Sequence, residues 1–396
     1  MAKDGAGAGG APRTSLLYDP AFRSIAFQIV LLVAVVFVGW YLFHNTTQNL
    51  ASRNIASGFG FLGQPAGFDI IQALVPYGQS ATYGEAFLVA LLNTMLISAI
   101  GIVLATIIGF VVGIARLSNN WIVSRLATVY VETLRNIPLL LQIFFWYFAV
   151  LRTLPGPKQS LSPFEGVYLN QRGLYMPVPL TEPGFWTIPV ALLLGIAGAV
   201  GVSIWARRRL MATGKPFHSF WVGLALIVGL PVLAALATGV PFTFELPQIK
   251  GFNFQGGLVL IPEFMAVLFA LSLYTASFIA EVVRSGVMAV SKGQSEAAHA
   301  LGLRQGLTLR LVVIPQALRV MIPPMTSQYL NLLKNSSLGA AVGYPELVAV
   351  VAGTVLNQTG QAIEVIALTM AVYLTFSLII SLFMNWYNAR KALVER

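Results

Sequence analysis

The side chains able to do chemistry in this chain are few, and most sit in or beside long apolar stretches. The densest group is Asn331, Lys334, Asn335, Ser336 and Ser337. A cation among amides and hydroxyls can hold a zwitterion: Lys334 meets the carboxylate, and amide oxygens accept from the ammonium. The same patch also reads as a helix end at an interface, with the Lys334 stem on apolar surface and its head in water. Tyr274, Thr275 and Ser277 offer hydroxyls without charge inside an apolar segment. With Asn331, Lys334, Asn335 and Ser336 they form the candidate substrate path, because polar groups at membrane depth are costly and default to function. Glu281 and Arg284 lie three residues apart on one helical face, a spacing that suits an ion pair near the headgroups. Arg135 interrupts another apolar run. It can line a cavity, pair with Glu132, or mark a helix break before Pro138, since a residue preceding proline is pushed out of the helical region.

Bond-making chemistry has no motif here. The phosphate-cradling G-x-x-x-x-G-K-[ST] is absent: Gly214-Lys215 runs into Pro216, and Arg209 stands where the first glycine is needed. The chain is therefore expected to be non-catalytic and not to hydrolyse ATP. H-E-x-x-H and G-x-S-x-G are missing too. With no cysteine and 3 histidines, no disulfide, iron–sulfur or Cys-zinc site is possible, and no metal or cofactor is expected in this chain. No aromatic–basic pattern accompanies the net charge of +10, so that charge does not point to nucleic acid.

The elements that must position these residues are membrane helices. Apolar residues make up 57% and charged residues 10%, against about 25% charge in soluble domains. Mean hydropathy is +0.78. Runs approaching the roughly 20 residues needed to cross a bilayer fall at about 24–43, 87–115, 127–151, 185–206, 219–240, 258–283, 312–333 and 362–387. Arg319, Pro323 and Pro324 interrupt the seventh. The first is not followed by a small-residue cleavage site, so it reads as a retained anchor rather than a signal peptide. With the N-terminus placed inside, about 16 Lys and Arg face the cytoplasm and about 6 face outward or lie deep, leaving Arg135 and Arg319 unassigned. That bias fits the positive-inside rule and puts both termini in the cytoplasm.

The same orientation places the stretch Glu296–Pro315, EAAHALGLRQGLTLRLVVIP, on the cytoplasmic side. Ala297, Ala298 and Ala300 give a thin, strongly helical surface that another protein can approach closely, and Gly302 permits a bend where a side chain would obstruct it. Glu296, Ala297, Ala298, Gly302, Leu303 and Pro315 at this spacing resemble the EAA loop of ABC importer permeases, the element that docks on a separate ATPase. RNIPLL at Arg135–Leu140, the run from Lys292 to Gly302 and LLKNSSL resemble the polar amino acid branch of that family, the histidine/glutamine/arginine uptake group. Arg135 and Pro138 are its structural signature. These matches cover roughly half the chain. The rest is similar to the long permeases of general L-amino acid transporters of the Aap/Bzt type, in the Q/B form.

The resemblance implies an all-α polytopic membrane protein with about eight transmembrane helices: a type I permease core of five helices, an added N-terminal helix and a two-helix insertion. The corresponding segments are a cytoplasmic tail 1–23, the extra helix with its periplasmic loop 24–83, core 84–152, insertion 153–257, core 258–390 with coupling loop 291–315, and a tail 391–396. Leu154–Pro183 reads as an exposed external loop, and the insertion as either a partner-binding surface or a stabilising elaboration. Gly195, Gly198, Gly201, Gly109 and Gly113 are candidates for close helix approach. The implied function is a permease subunit of an ATP-driven importer moving L-amino acids across the bacterial inner membrane by alternating access. The implied partners are a second permease subunit (a heterodimer), two copies of a cytoplasmic ATPase carrying ATP and Mg, a periplasmic amino acid binding protein and the lipid bilayer. An ion-coupled secondary transporter and a membrane scaffold for a cytoplasmic enzyme are the alternatives. The first needs paired carboxylates or broken helices in two repeats, and the second needs no deep polar patch.

Overall fold

The computed structural model describes residues 20–52 and 57–391. The expectations for residues 1–19, for Arg53 and for 392–396 lie outside these. Helix α1 spans Pro20–Ser52, so helix begins at residue 20, within the expected tail 1–23. Among the described residues seven helices are long and apolar enough to cross a membrane, or eight if one bent pair counts as a single span.

Helix α2, Tyr83–Arg116, starts at a capping box. The Thr82 hydroxyl accepts from the Glu85 N–H at 3.2 Å, and the Glu85 carboxylate accepts from the Thr82 N–H at 2.7 Å. Helix α3, Trp121–Asn136, is capped by Asn120, whose Oδ1 accepts from the N–H groups of Ile122 and Val123. The apolar run 127–151 is not one straight helix. α3 and α4, Leu139–Phe144 with its π-helical continuation to Leu151, meet at 106°. Pro138 forces the break by pushing Ile137 into the extended region. Gln142 then satisfies the freed carbonyls of Leu134 and Ile137 at 2.9 and 3.0 Å.

Helix α7, Pro262–Met288, is the most deeply buried. Its start corrects the expected span at 258: residues Leu258–Leu260 form a strand, and Pro262 opens the helix. α7 packs on α2 at backbone distance. A Cβ at Gly109 would lie 2.6 Å from the Ile279 side chain, and one at Gly113 would lie 2.8 Å from the Ala280 carbonyl. On its other side α7 meets α10, Ile314–Asn335, where Gly286 accommodates Met321. α10 runs unbroken through Pro323 and Pro324. The chain then forms a 3-10 turn at 336–342, reverses at Gly343, runs through a π-helical stretch at 348–355 and α11, Leu356–Thr359, and leaves by α12, Ala362–Lys391.

The insertion holds two parts. Helices α5, Thr187–Thr213, and α6, Ser219–Ala237, pack on each other. Gly195 touches the Leu226 carbonyl, Gly223 touches Ala199, and Trp205 meets Phe217. Contacts rising along one helix as they fall along the other make the pair an antiparallel hairpin. Gly198 makes only a side-chain contact there, and Gly201 faces open space, so it is no packing glycine.

The segments flanking this hairpin are not plain loop. Eight short strands form there. β1 Leu161–Phe164, β2 Val167–Asn170, β3 Gly173–Met176 and β8 Leu258–Leu260 make one antiparallel sheet in that order. β4 Val178–Thr181 pairs with β5 Phe242–Glu245, and β6 Gln248–Lys250 with β7 Asn253–Gln255. The β4–β5 pair draws the two ends of the helical hairpin together.

Since Gly113 faces backbone across the α2–α7 seam, Gly113→Leu is expected to cost at least the about 1–3 kcal/mol of core overpacking. A thermal melt of purified protein should drop markedly for Gly113→Leu. Gly201→Leu, facing open space, should match the wild type. Equal melts for the two variants would contradict the packing.

Candidate coupling loop and substrate path

The stretch Glu296–Pro315 folds as the sequence pattern requires, for a reason the pattern alone does not supply. Helix α8, Lys292–Ala300, ends in a Schellman motif. The Leu303 N–H reaches the Ala298 carbonyl at 3.1 Å, and the Gly302 N–H reaches the His299 carbonyl at 2.9 Å. Gly302 sits at φ +78°, and a Cβ there would meet no atom within 4 Å. The expectation that a side chain would be obstructed is therefore corrected. Within this chain the constraint at Gly302 is conformational, because the left-handed region is costly for residues with a Cβ.

Ala298 is buried, Leu303 is half-buried, and Glu296, Ala297, Leu301 and Pro315 are exposed. Leu301, 82% exposed, is the most exposed large apolar side chain on the loop. The loop continues through α9, Gln305–Thr308, and a π-helical turn at 309–313 into α10, with Pro315 in its first turn. Gln316 on α10 donates to Gln294 on α8 at 3.3 Å, tying both ends of the loop together. Behind it lies an apolar cleft of about 690 Å³, walled by α2, α7 and α10 and including Phe110, Val283, Leu309 and Met321.

A charge cluster sits at the same end. Glu281 accepts from Arg284 at 2.5 and 3.1 Å, as its spacing suggested, and also pairs with Arg116 of α2. Arg116 further reaches Glu132 of α3 at 3.8 Å. Glu132 thus pairs with Arg116 and not with Arg135. The Arg135 guanidinium lies 5.0 Å over the Phe278 ring instead, a cation–π contact that holds α3 to α7 just before the break. From the sequence Arg116 was placed only among the cytoplasmic cations and its pairing was missed, although an arginine closing a long apolar run was the available signal.

No side-chain hydrogen bond joins Tyr274, Thr275 or Ser277 of α7 to Asn331, Lys334, Asn335 or Ser336 among the described residues. Thr275 and Ser277 are buried within the helix packing, and Ser277 Oγ donates to the Tyr274 carbonyl at 2.6 Å. Tyr274 is half-buried against Phe278. Ser336 is buried, with Oγ donating to the Leu333 carbonyl at 2.7 Å, and Asn335 is half-buried. Asn331 and Lys334 are exposed on α10, and no hydrogen bond or ion pair involves the Lys334 side chain among the described residues.

Two polar sites were missed. A cleft of about 590 Å³ opens at the end opposite the coupling loop, lined by Asp69, Ile71, Glu263, Gly343, Pro345 and Val348 among others. Glu263 accepts from the Tyr147 hydroxyl at 2.7 Å. At the rim Tyr77 donates to the Phe68 carbonyl, and burial, followed by the charges of Asp69 and Glu85, raises its hydroxyl above the usual range. The proline–acid pair Pro262-Glu263 was a readable helix-start signal. Beneath this cleft, Glu346 is fully buried. It accepts from the N–H groups of Val348 and Ala349 at 2.9 and 2.7 Å and from the Tyr373 hydroxyl at 3.1 Å. Asn93 donates to the carbonyls of Gln72 and Pro345, the Tyr344 hydroxyl donates to the Asn93 carbonyl, and Thr94 accepts from the Leu347 N–H.

Residues 101–392 match the family model described as binding-protein-dependent transport system inner membrane component. The chain belongs to this family. It is 54% identical over 382 residues to the general L-amino acid transport system permease protein AapQ of Rhizobium johnstonii, covering 96% of this chain and 95% of the relative. It is 43% identical over 412 residues to the glutamate/glutamine/aspartate/asparagine transport system permease protein BztB of Rhodobacter capsulatus, covering 96% of each. The chain is thus a multi-pass membrane component, its all-α core is that of a type I ABC importer permease, and permeases of this family are in general non-catalytic and work with other subunits. Across residues 153–257, α2 and α3 on one side pack on α7 on the other.

Because the loop stop depends on the φ of Gly302, Gly302→Asn is expected to behave nearly as wild type, while Gly302→Val should loosen the turn by about 1–2 kcal/mol. Limited trypsinolysis at Arg304 checks this. Faster cleavage of the Val variant alone is the expected outcome, and identical rates for both variants would discard the conformational reading.

Proposed function

We propose that this chain is the permease subunit of an ATP-driven ABC importer that moves L-amino acids across the bacterial inner membrane by alternating access. The observation that carries this reading is an exposed Glu296–Leu309 loop, stopped by a Schellman turn and continuous with α7 and α10, in a chain similar to AapQ over 96% of its length. The substrate class is taken from the two relatives. The positive-inside bias supports placing the coupling loop and both termini in the cytoplasm. The functional partners are a second permease subunit, forming a heterodimer, two copies of a cytoplasmic ATPase that carry ATP and Mg, and an external amino acid binding protein.

The loop is built to transmit force. α8 follows α7 after three residues, and Gln294–Gln316 binds it to the start of α10. A partner that pulls on α8 therefore moves both α7 and α10. Arg116, Glu281, Arg284 and Glu132 join α2, α3 and α7 at that end, so the helices shift as a set. Binding of ATP or of loaded binding protein shifts the equilibrium only through differential affinity for the two packings. The ion-coupled alternative gains nothing from Glu346, whose carboxylate is already occupied by two N–H groups and a hydroxyl.

Two measurements test this function. The purified chain should show no ATP hydrolysis alone and should gain it with its ATPase, with stimulation by loaded binding protein. Glu296→Lys should weaken ATPase co-purification while leaving membrane levels unchanged. Robust hydrolysis by the isolated chain would refute the assignment. For the path, Lys334→Gln should reduce uptake of every amino acid substrate together by about tenfold or more, the cost of losing a charged partner, without loss of assembly. Normal uptake would leave Lys334 a snorkelling side chain, and loss of acidic substrates only would place it at the side-chain end of the site.

A further inference from the structure

The α5–α6 hairpin carries a cluster of cations that the proposed transport mechanism leaves without a role. From Pro183 to Phe244 the chain has four formal cations, Arg207, Arg208, Arg209 and Lys215, and no Asp or Glu. All four lie at the hairpin's closed end. The three arginines differ in their surroundings. Arg209 is held between two rings, with its guanidinium 5.3 Å from Trp205 and 5.8 Å from Phe217. Arg207 and Arg208 are exposed, and neither makes a hydrogen bond or an ion pair among the described residues. With Ile204, Met211 and Ala212 they line an open groove of about 540 Å³ along one face of α5. These five positions are spaced by three, one, three and one residues, a single stripe of a helix.

The stripe has an amphiphilic order. Ile204, 51% exposed, lies on the bilayer side of the arginines, and Trp205, Phe217, Phe220 and Trp221 surround the same level. Exposed aromatics at that level mark a membrane–water interface. α5 and α6 pack on each other and make no extensive contact with the rest of the fold. Within this chain nothing covers the groove, which leaves it open to the bilayer. Two unpaired guanidinium forks beside apolar surface suit an occupant with anionic oxygens on a hydrocarbon tail. Free phosphate would satisfy the arginines and leave Ile204 uncovered.

We propose that this stripe binds one anionic phospholipid of the inner leaflet, its phosphate held by Arg207 and Arg208 and an acyl chain lying along Ile204. Arg209, fixed by its rings, sets the depth of the hairpin. The leaflet rests on the orientation given under the proposed function, while the lipid chemistry does not.

The test uses the full permease complex extracted in mild detergent from its native membrane. Bound phospholipids are counted by native mass spectrometry for wild type, R207Q/R208Q and R207K/R208K. Wild type should hold phosphatidylglycerol or cardiolipin well above its share of the bulk membrane, and the Gln pair should lose that enrichment by about tenfold or more. The Lys pair keeps charge and insertion but not the bidentate fork, and should fall between them. Wild-type lipid at bulk proportions, or equal retention by the Gln or the Lys pair, would overturn the site. Displacement of the lipid by millimolar inorganic phosphate would show a simple phosphate site and overturn the lipid assignment. Because the chain has no cysteine, Thr213→Cys reports orientation. Labelling from the cytoplasmic side is expected, and labelling from outside would overturn the leaflet and the orientation independently of the lipid count.

Discussion

The backbone approach of α2 to α7 at Gly109 and Gly113 is the contact on which the rest of the architecture depends. In a bilayer, apolar side chains gain little by leaving lipid for a neighbouring helix, so association must come from close packing and polar contacts. Two glycines one turn apart let the α7 carbonyls of Ala276 and Ala280 sit against α2. α7 then becomes a buried post with α3, α4 and α10 arranged around it. The Arg116–Glu281 pair lies one turn beyond this seam, and the coupling loop leaves from the end of the same helix. The glycine seam gives the loop that leaves α7 a stiff attachment.

A second constraint acts at the opposite end. Backbone without regular hydrogen bonding is tolerated in a membrane protein only where protein groups satisfy it. The reversal at 343–347 meets that condition through side chains brought from far along the chain: Asn93 and Thr94 from α2, Tyr373 from α12, and Glu346 capping the turn that follows. Gln142 does the same for the break at Pro138. The two irregular segments are therefore held in place by specific side-chain bonds, and each lies between rigid helices, where a permease can change packing without exposing backbone to lipid.

The insertion follows a different rule from the core. Its helices depend on each other, through Gly195 and Gly223, and its strands close the hairpin's open ends. Adding two spans leaves the sidedness of everything downstream unchanged, so such an element can be added without disturbing the coupling loop. Within this chain, its helices make no extensive contact with the core.

Much of this was legible in residue order. Span positions follow from hydropathy because the bilayer demands about 20 apolar residues of any helix that crosses it. The stop after α8 was readable because the left-handed turn that ends a helix favours glycine just past its last turn. The bend before Pro138 was readable as a local steric effect. The strands around the insertion were not, because three- and four-residue strands carry too little alternation to stand out from loop. Nor were the roles of Asn93, Arg116 and Glu346. Local sequence determined what each segment must be, since propensity, hydropathy and capping act over a few residues. Only the tertiary structure decided which polar groups meet, because partners such as Asn93 and Pro345, 252 positions apart, are brought together by helix packing that no short window of sequence encodes.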